Sequence, residues 1–336
     1  MGFAERFDDR SRQTRERLNA FREQFADHLP ERASVLRDRV CIYAVGSAGR
    51  GEIGEHSDLD LFSVSRPDAI SNVDHILIKT ALLRATRACG FPEPSRDGMF
   101  LQVHDVARIS GNFGKPEDDS ENTFTARMLL LLESICIVDP ATYDSILNDV
   151  LDLYWTNAAN HQTDHLPIIL VNDIVRYWRV VLLNYEAKIR KSSPPDAGTD
   201  TDAKRRMLSY KLRFSRCLTC FSAVAFLLKC ATLDNGHVAI ERARQMVGAK
   251  PVERLLWISG VSGDDAEVRG FVDELLELHE SFLGNSQIPA VQLLARFSDE
   301  NFCRERSTEA SRFGTTMAEF ILHLGRRNPL LRYIVV

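Results

Sequence analysis

Two short apolar runs, VCIYAV at 40–45 and the end of DLDLFSVS at 58–65, are separated by a glycine-rich polar segment, GSAGRGEIGEHS at 46–57. Apolar runs of this length, bounded by turn residues, read as buried strands. Inside the second run Asp58 and Asp60 stand two residues apart. The spacing predicts a strand over 58–64, and a strand puts residues i and i+2 on one face. Two carboxylates side by side repel, and the arrangement is costly unless a cation lies between them. A divalent metal is the usual solution.

The surrounding pattern extends this pair into a small α/β unit. Residues 3–38 carry Arg, Glu and Gln with spaced Phe and Leu, which predicts one or two amphipathic helices. A short helical stretch of one or two turns follows Gly46. ISNVDHILIKTALLRATRACG predicts a helix over 70–89 closed by Gly90. FPEPSRDG reads as a turn and MFLQVHDV as a third strand. KPEDDSEN at 115–122 reads as an acidic loop, and everything after it reads as helical. Helices are expected in TFTARMLLLLESICI and over 145–155, 168–189, 207–232, 238–248, 266–284, 288–298 and 307–325. RKSSPPDAGTDTDAKRR at 190–206 reads as a linker, and NPLLRYIVV as a terminal strand or docked extended segment. The expected fold is therefore α/β plus all-α: an N-terminal helical segment (1–38), a small mixed sheet packed with helices (39–115) and a helical domain (116–336). No internal repeat stands out.

Composition narrows the function. A net charge of −5 and a pI near 6.0 give no global attraction to nucleic acid or membrane, so an anionic ligand must meet a local basic patch. No uninterrupted apolar run has the length of a membrane span, and MGFAERFDDRSRQTRERLNAF lacks an apolar signal core; both predict a cytoplasmic protein. Seven scattered cysteines, an odd number without framework spacing, predict reduced thiols. Cys217 and Cys220 read as small core residues of a buried helix. The histidines form no ligand cluster, and His161 and His165 read as surface polar groups.

Gly46 and Ser47 sit where a strand should meet a helix N-terminus. Backbone N–H groups and the helix dipole favour an anion there, glycine permits close approach, and a serine hydroxyl adds a donor. A phosphate and a divalent ion a few ångströms apart describe a nucleoside triphosphate with magnesium. The string G-S-A-G-R-G-E-I-G-E-H-S-D-L-D-L resembles the signature of the polymerase-β-like nucleotidyltransferase superfamily. With Arg50, Gly51 and Glu52 it is similar to the branch containing the bacterial PII uridylyltransferases and related uncharacterised bacterial proteins. The specific part covers about twenty residues.

The resemblance implies Mg²⁺ (or Mn²⁺) on Asp58 and Asp60, and the triphosphate on Gly46 and Ser47 with Arg50 and Ser57. In the superfamily a third carboxylate joins the pair. Asp97 is the first choice here; Asp118 or Asp119 could swing in from their loop, and Asp105 reads as too distant. A turn role for Asp97 stands beside the catalytic one.

Between Arg176 and Arg216 there are eleven Lys or Arg and four acids, a local excess of seven positive charges. Arg176 and Arg179 lie near one helical face and could meet the triphosphate from across an interdomain cleft. Lys211, Arg213 and Arg216 could extend that surface toward a polyanionic acceptor such as RNA. The solvated-face alternative stays open for all of them. The expected activity is transfer of NMP from an NTP to a protein, small molecule or RNA end, releasing pyrophosphate. The alternative is a nucleotide-binding sensor or scaffold that keeps the fold without the chemistry.

Overall fold

A computed structural model of the chain describes residues 3–29, 36–67, 69–94, 101–156, 165–192 and 199–335. It divides into two compact units, Met1–Thr156 and Asn157–Val336. The boundary falls later than the 115/116 division expected from the sequence. The N-terminal helix and the helices up to 156 belong with the sheet.

The first unit is built on a mixed four-stranded sheet. In chain order it contains α1 (Phe3–Asp27), β1 (Val40–Val45), β2 (Asp60–Ser65), α2 (Asn72–Ala88), β3 (Val103–Asp105), α3 (Val106–Gly111), α4 (Glu117–Ser120), α5 (Thr123–Glu133), β4 (Ile135–Val138) and α6 (Pro140–Asp152). The strand order is β3-β2-β1-β4. β2 and β4 pair antiparallel with β1, and β3 runs parallel to β2. Every residue of β1 is buried, as expected of a central strand covered on both faces.

One face carries Ile42, Ala44 and Leu61, which pack with Phe21 and Phe25 of α1 and Ile78 and Leu82 of α2 in a single apolar cluster. Each of the larger side chains contributes about 1.5–3 kcal/mol by burial. The other face carries an aromatic row: Tyr43 stacks on Phe62 at 5.8 Å, and Phe62 on His104 at 5.8 Å. α2 starts where its capping chemistry dictates. Ser71 Oγ accepts the Asp74 N–H, and Asp74 Oδ2 accepts the Ser71 N–H at 2.9 Å. Gly90, at φ +68°, follows its last turn as expected.

Several local readings change, and the loop expected at 115–122 contains the short helix α4. TFTARMLLLLESICI is a helix only to Glu133; Ser134 turns extended and Ile135–Val138 form the edge strand beside β1. A continuous apolar sequence hides the switch, because an apolar helix and an apolar strand look alike in hydropathy. The third strand shortens to Val103–Asp105, since Asp105 caps α3 by accepting the Ala107 N–H at 2.7 Å. The strand carrying the paired aspartates begins at Asp60, so Asp58 precedes it.

The second unit is all helical among its described residues: α7 (Ile168–Ser192), α8 (Thr199–Lys211), a π-helical turn (Leu212–Arg216), α9 (Cys217–Leu233), α10 (Ile240–Gly248), α11 (Pro251–Val261), α12 (Ala266–Ser286), α13 (Ala290–Arg296), α14 (Glu300–Gly325) and α15 (Pro329–Val335). α9 is apolar on all sides and forms the core; Cys217 and Cys220 are buried within it as free thiols. The helical run Thr201–Leu233 is long and apolar enough by composition to cross a membrane, and 72% of its apolar window is buried inside the protein.

The expected linker at 190–206 is helical at Arg190–Ser192 and again from Thr199; 193–198 lie outside the described residues. α11 has no counterpart in the sequence reading, and Pro251 at its start marks a helix N-terminus rather than a break. The tail is helical, not extended. Asn328 caps α15 by accepting the Leu330 N–H at 3.0 Å and donates to the Leu228 carbonyl at 2.8 Å. His165, expected on the surface, is buried, and its backbone N–H donates to His237 Nδ1; His161 lies outside the described residues.

Candidate active site

Asp58 and Asp60 are both exposed and flank buried Leu59. Asp60 opens β2 opposite Val45, the last residue of β1. The chain leaves β1 through Gly46, whose φ of +67° is a conformation glycine adopts without the penalty of a side chain. A Cβ placed on Gly46 would stand 3.0 Å from Asp60 Oδ2. The Asp60 carboxylate therefore lies directly against the Gly46–Ser47 turn.

The turn itself is tight. The Arg50 N–H donates to the Gly46 carbonyl at 3.1 Å, Gly51 N–H to Ala48 at 3.0 Å, and Glu52 N–H to Ser47 at 2.8 Å. No helix follows it. The dipole expected from a helix N-terminus is absent, so an anion here would rely on the half-buried Ser47 hydroxyl and the amides of one turn.

Arg50 is not available to a nucleotide. It is 8% exposed, its Nε donates to Glu52 at 2.8 Å, and one Nη donates to Glu133 at 2.8 Å. Gly49 explains why the two segments can come so close: a Cβ there would lie 1.7 Å from the Glu133 carbonyl oxygen. Gly49 and Arg50 together clamp the turn to the end of α5. The R-G-E extension thus has a structural use.

Ser57 is likewise engaged, its Oγ accepting the Gly54 N–H at 2.9 Å. α1 pins the same segment. Thr14 Oγ1 accepts the Ile53 N–H at 3.1 Å, and Arg17 donates to the Gly54 carbonyl at 2.5 Å.

The candidates for a third carboxylate separate clearly. Asp105 pairs with Ser65, at the opposite end of β2 from Asp60, and caps α3. Asp118 is buried, and both its oxygens accept bonds from Arg127 at 2.6 and 2.8 Å. Arg127 also donates to Tyr154 Oη at 2.9 Å, so Asp118 is held inside the fold and cannot swing. Asp119 is exposed on α4. Asp97 lies outside the described residues.

Among the described residues, no three His, Cys, Asp or Glu side chains gather to hold a metal ion. Two exposed carboxylates nevertheless suit magnesium, which commonly keeps several waters and takes one or two carboxylates plus substrate phosphates.

Burial raises the Tyr43 and Tyr143 phenols well above their ordinary range and pushes the Cys41 and Cys136 thiols up to about 12. Arg176 and Arg179 lie on α7 in the second unit. Arg176 is 3.7 Å from Asp173, and Arg179 is exposed.

The structure sets Asp60 against the Gly46–Ser47 turn, leaves Asp58 exposed just before β2, and commits Arg50 and Ser57 to holding the loop. The Arg50–Glu133 and Arg127–Asp118 pairs had no signal in local spacing. No protein-family model matches the chain, and no curated protein matches it.

Proposed function

We propose that the chain is a metal-dependent nucleotidyltransferase that moves NMP from an NTP to an acceptor. The observation that carries this reading is the contact geometry of Gly46 and Asp60: a glycine turn suited to phosphate lies against a carboxylate suited to a cation. Asp58 and Asp60 would hold Mg²⁺ or Mn²⁺. When bound, the ion neutralises charge developing on the transferred phosphoryl group and activates the acceptor oxygen.

The chain's own residues orient the substrate. The turn amides and Ser47 would hold the outer phosphates, leaving the α-phosphorus over the aspartates and pyrophosphate as the leaving group. Arg50 and Glu133 keep the turn rigid, which is what a positioning device requires.

The test is incubation of the protein with Mg²⁺ or Mn²⁺ and each α-labelled NTP, with and without cell extract, beside Asp58→Ala/Asp60→Ala. Label transfer by the wild type and none by the variant is the expected result. Equal transfer by both would sink the proposal.

A second reading, a nucleotide sensor or scaffold, draws on the absence of a third carboxylate beside Asp58 and Asp60 among the described residues. It predicts metal-dependent NTP binding with no pyrophosphate release.

A further inference from the structure

The second unit contains a cavity of about 410 Å³ lined by residues of α7, α8, the π-helical turn and α14. Five arginines reach it, Arg205, Arg206, Arg213, Arg304 and Arg306, against one carboxylate, Glu300. The spacing explains the convergence. Positions 205, 206, 209 and 213 repeat on one side of a helix, and positions 300, 303, 304 and 307 repeat on one side of another.

The arginines fall into two groups. Arg306 is 14% exposed and is fixed by Glu309 at 3.1 Å, and Arg205 lies 3.3 Å from Asp202. Arg206, Arg213 and Arg304 have no carboxylate within ion-pair distance among the described residues. Arg213 donates to Ser311 Oγ at 2.9 Å, and Arg206 donates to Cys303 Sγ at 3.6 Å. Asp202 and Glu300 act on Arg206 from beyond ion-pair distance, yet the guanidinium groups facing the cavity still outnumber the acid there, and an anion relieves their repulsion.

Part of the lining is aromatic. Tyr210 packs against Phe214 at 5.1 Å and Phe297 at 5.6 Å, and both Tyr210 and Phe297 line the cavity. The volume falls within the range of small-molecule sites.

We infer that this cavity binds an organic polyphosphate of nucleotide size, with the phosphates on Arg206, Arg213 and Arg304 and the flat apolar part toward Tyr210 and Phe297. A concave site with a partly aromatic lining suits a small molecule better than an extended nucleic-acid backbone, which needs a continuous basic track. Binding here uses arginine forks alone and requires no divalent ion. It is therefore independent of the aspartate pair in the first unit.

Cys303 offers a local reporter. Its thiol lines the cavity and donates to the Phe297 carbonyl at 3.0 Å. Burial pushes Cys217 and Cys230 up to about 12, which keeps them inert toward alkylation at pH 8. Half-buried Cys89, in the first unit, serves as the reference site.

The experiment uses the full chain in EDTA with ATP and, separately, inorganic pyrophosphate as probes. Heat of binding and the rate of maleimide labelling at Cys303 are both read. ATP should bind and slow labelling of Cys303 but not of Cys89. Arg206→Ala/Arg213→Ala should weaken ATP by about tenfold or more, the worth of at least one charged hydrogen bond. Asp58→Ala/Asp60→Ala should leave both readouts unchanged.

Unprotected Cys303 at saturating ATP would overturn the inference, and this arm needs only the wild type. So would wild-type affinity in the arginine variant. Protection of Cys303 by a single-stranded RNA oligonucleotide in preference to ATP would assign the cations to nucleic acid instead, and would also overturn it.

Discussion

Arg50 in the first unit and Arg213 in the second are both arginines in sequence contexts that suggest phosphate binding, yet the fold uses them oppositely. Arg50 is buried between Glu52 and Glu133, and Arg127 repeats the arrangement with Asp118. Both neutralise buried carboxylates and tie distant backbone together. Arg206, Arg213 and Arg304 are half-buried or exposed, have no carboxylate within ion-pair distance among the described residues, and face a cavity. An arginine's role follows from its burial and its partner, not from the motif around it. In the first unit the arginine at the turn is spent on rigidity, while Asp58 and Asp60 stand exposed.

This contrast can be broken at several points. The largest effect belongs to the aspartates, where Asp58→Ala/Asp60→Ala removes transfer in the assay above while the fold persists. Next, Arg50→Ala or Arg127→Ala should each destabilise the first unit by about 3–5 kcal/mol, because a buried carboxylate loses the arginine paired with it. Hydrogen exchange of the β1 amides reads that unit specifically, and unchanged protection in either variant would remove the clamp interpretation.

Gly46→Ala should cost about 1–3 kcal/mol through its positive φ. It should also depress transfer more than the stability loss accounts for, since the new methyl group meets the Asp60 carboxylate. Asp105→Ala should cost about 1 kcal/mol as a lost cap and leave transfer intact; lost transfer in a folded Asp105→Ala protein would bring that residue back as a metal ligand. The smallest effect is expected for Arg206→Ala/Arg213→Ala, which should stay within about 0.5 kcal/mol of wild type in urea unfolding without ligand.

Local chemistry made much of the first unit legible. The two strands about the glycine turn, the capped helix from Ser71 to Gly90 and the outward pair at Asp58 and Asp60 all rest on interactions between residues close in the chain. Periodicity and capping encode those directly. Legibility failed where the local sequence fits two structures. The leucine run of α5 conceals its change to a strand at Ile135, and α11 begins at a proline that reads equally as a break.

The amino-acid sequence by itself determined the turn, its glycine and the placement of two carboxylates at the head of β2, because each depends on backbone conformation within a few residues. Only the tertiary structure decided which charges remain available. Arg50 meets Glu133 across 83 residues and Arg206 meets Cys303 across 97, distances over which no repeat or propensity carries information. A charged side chain is committed by whatever long-range packing brings against it, since desolvation makes a nearby partner obligatory in the interior and optional at a surface.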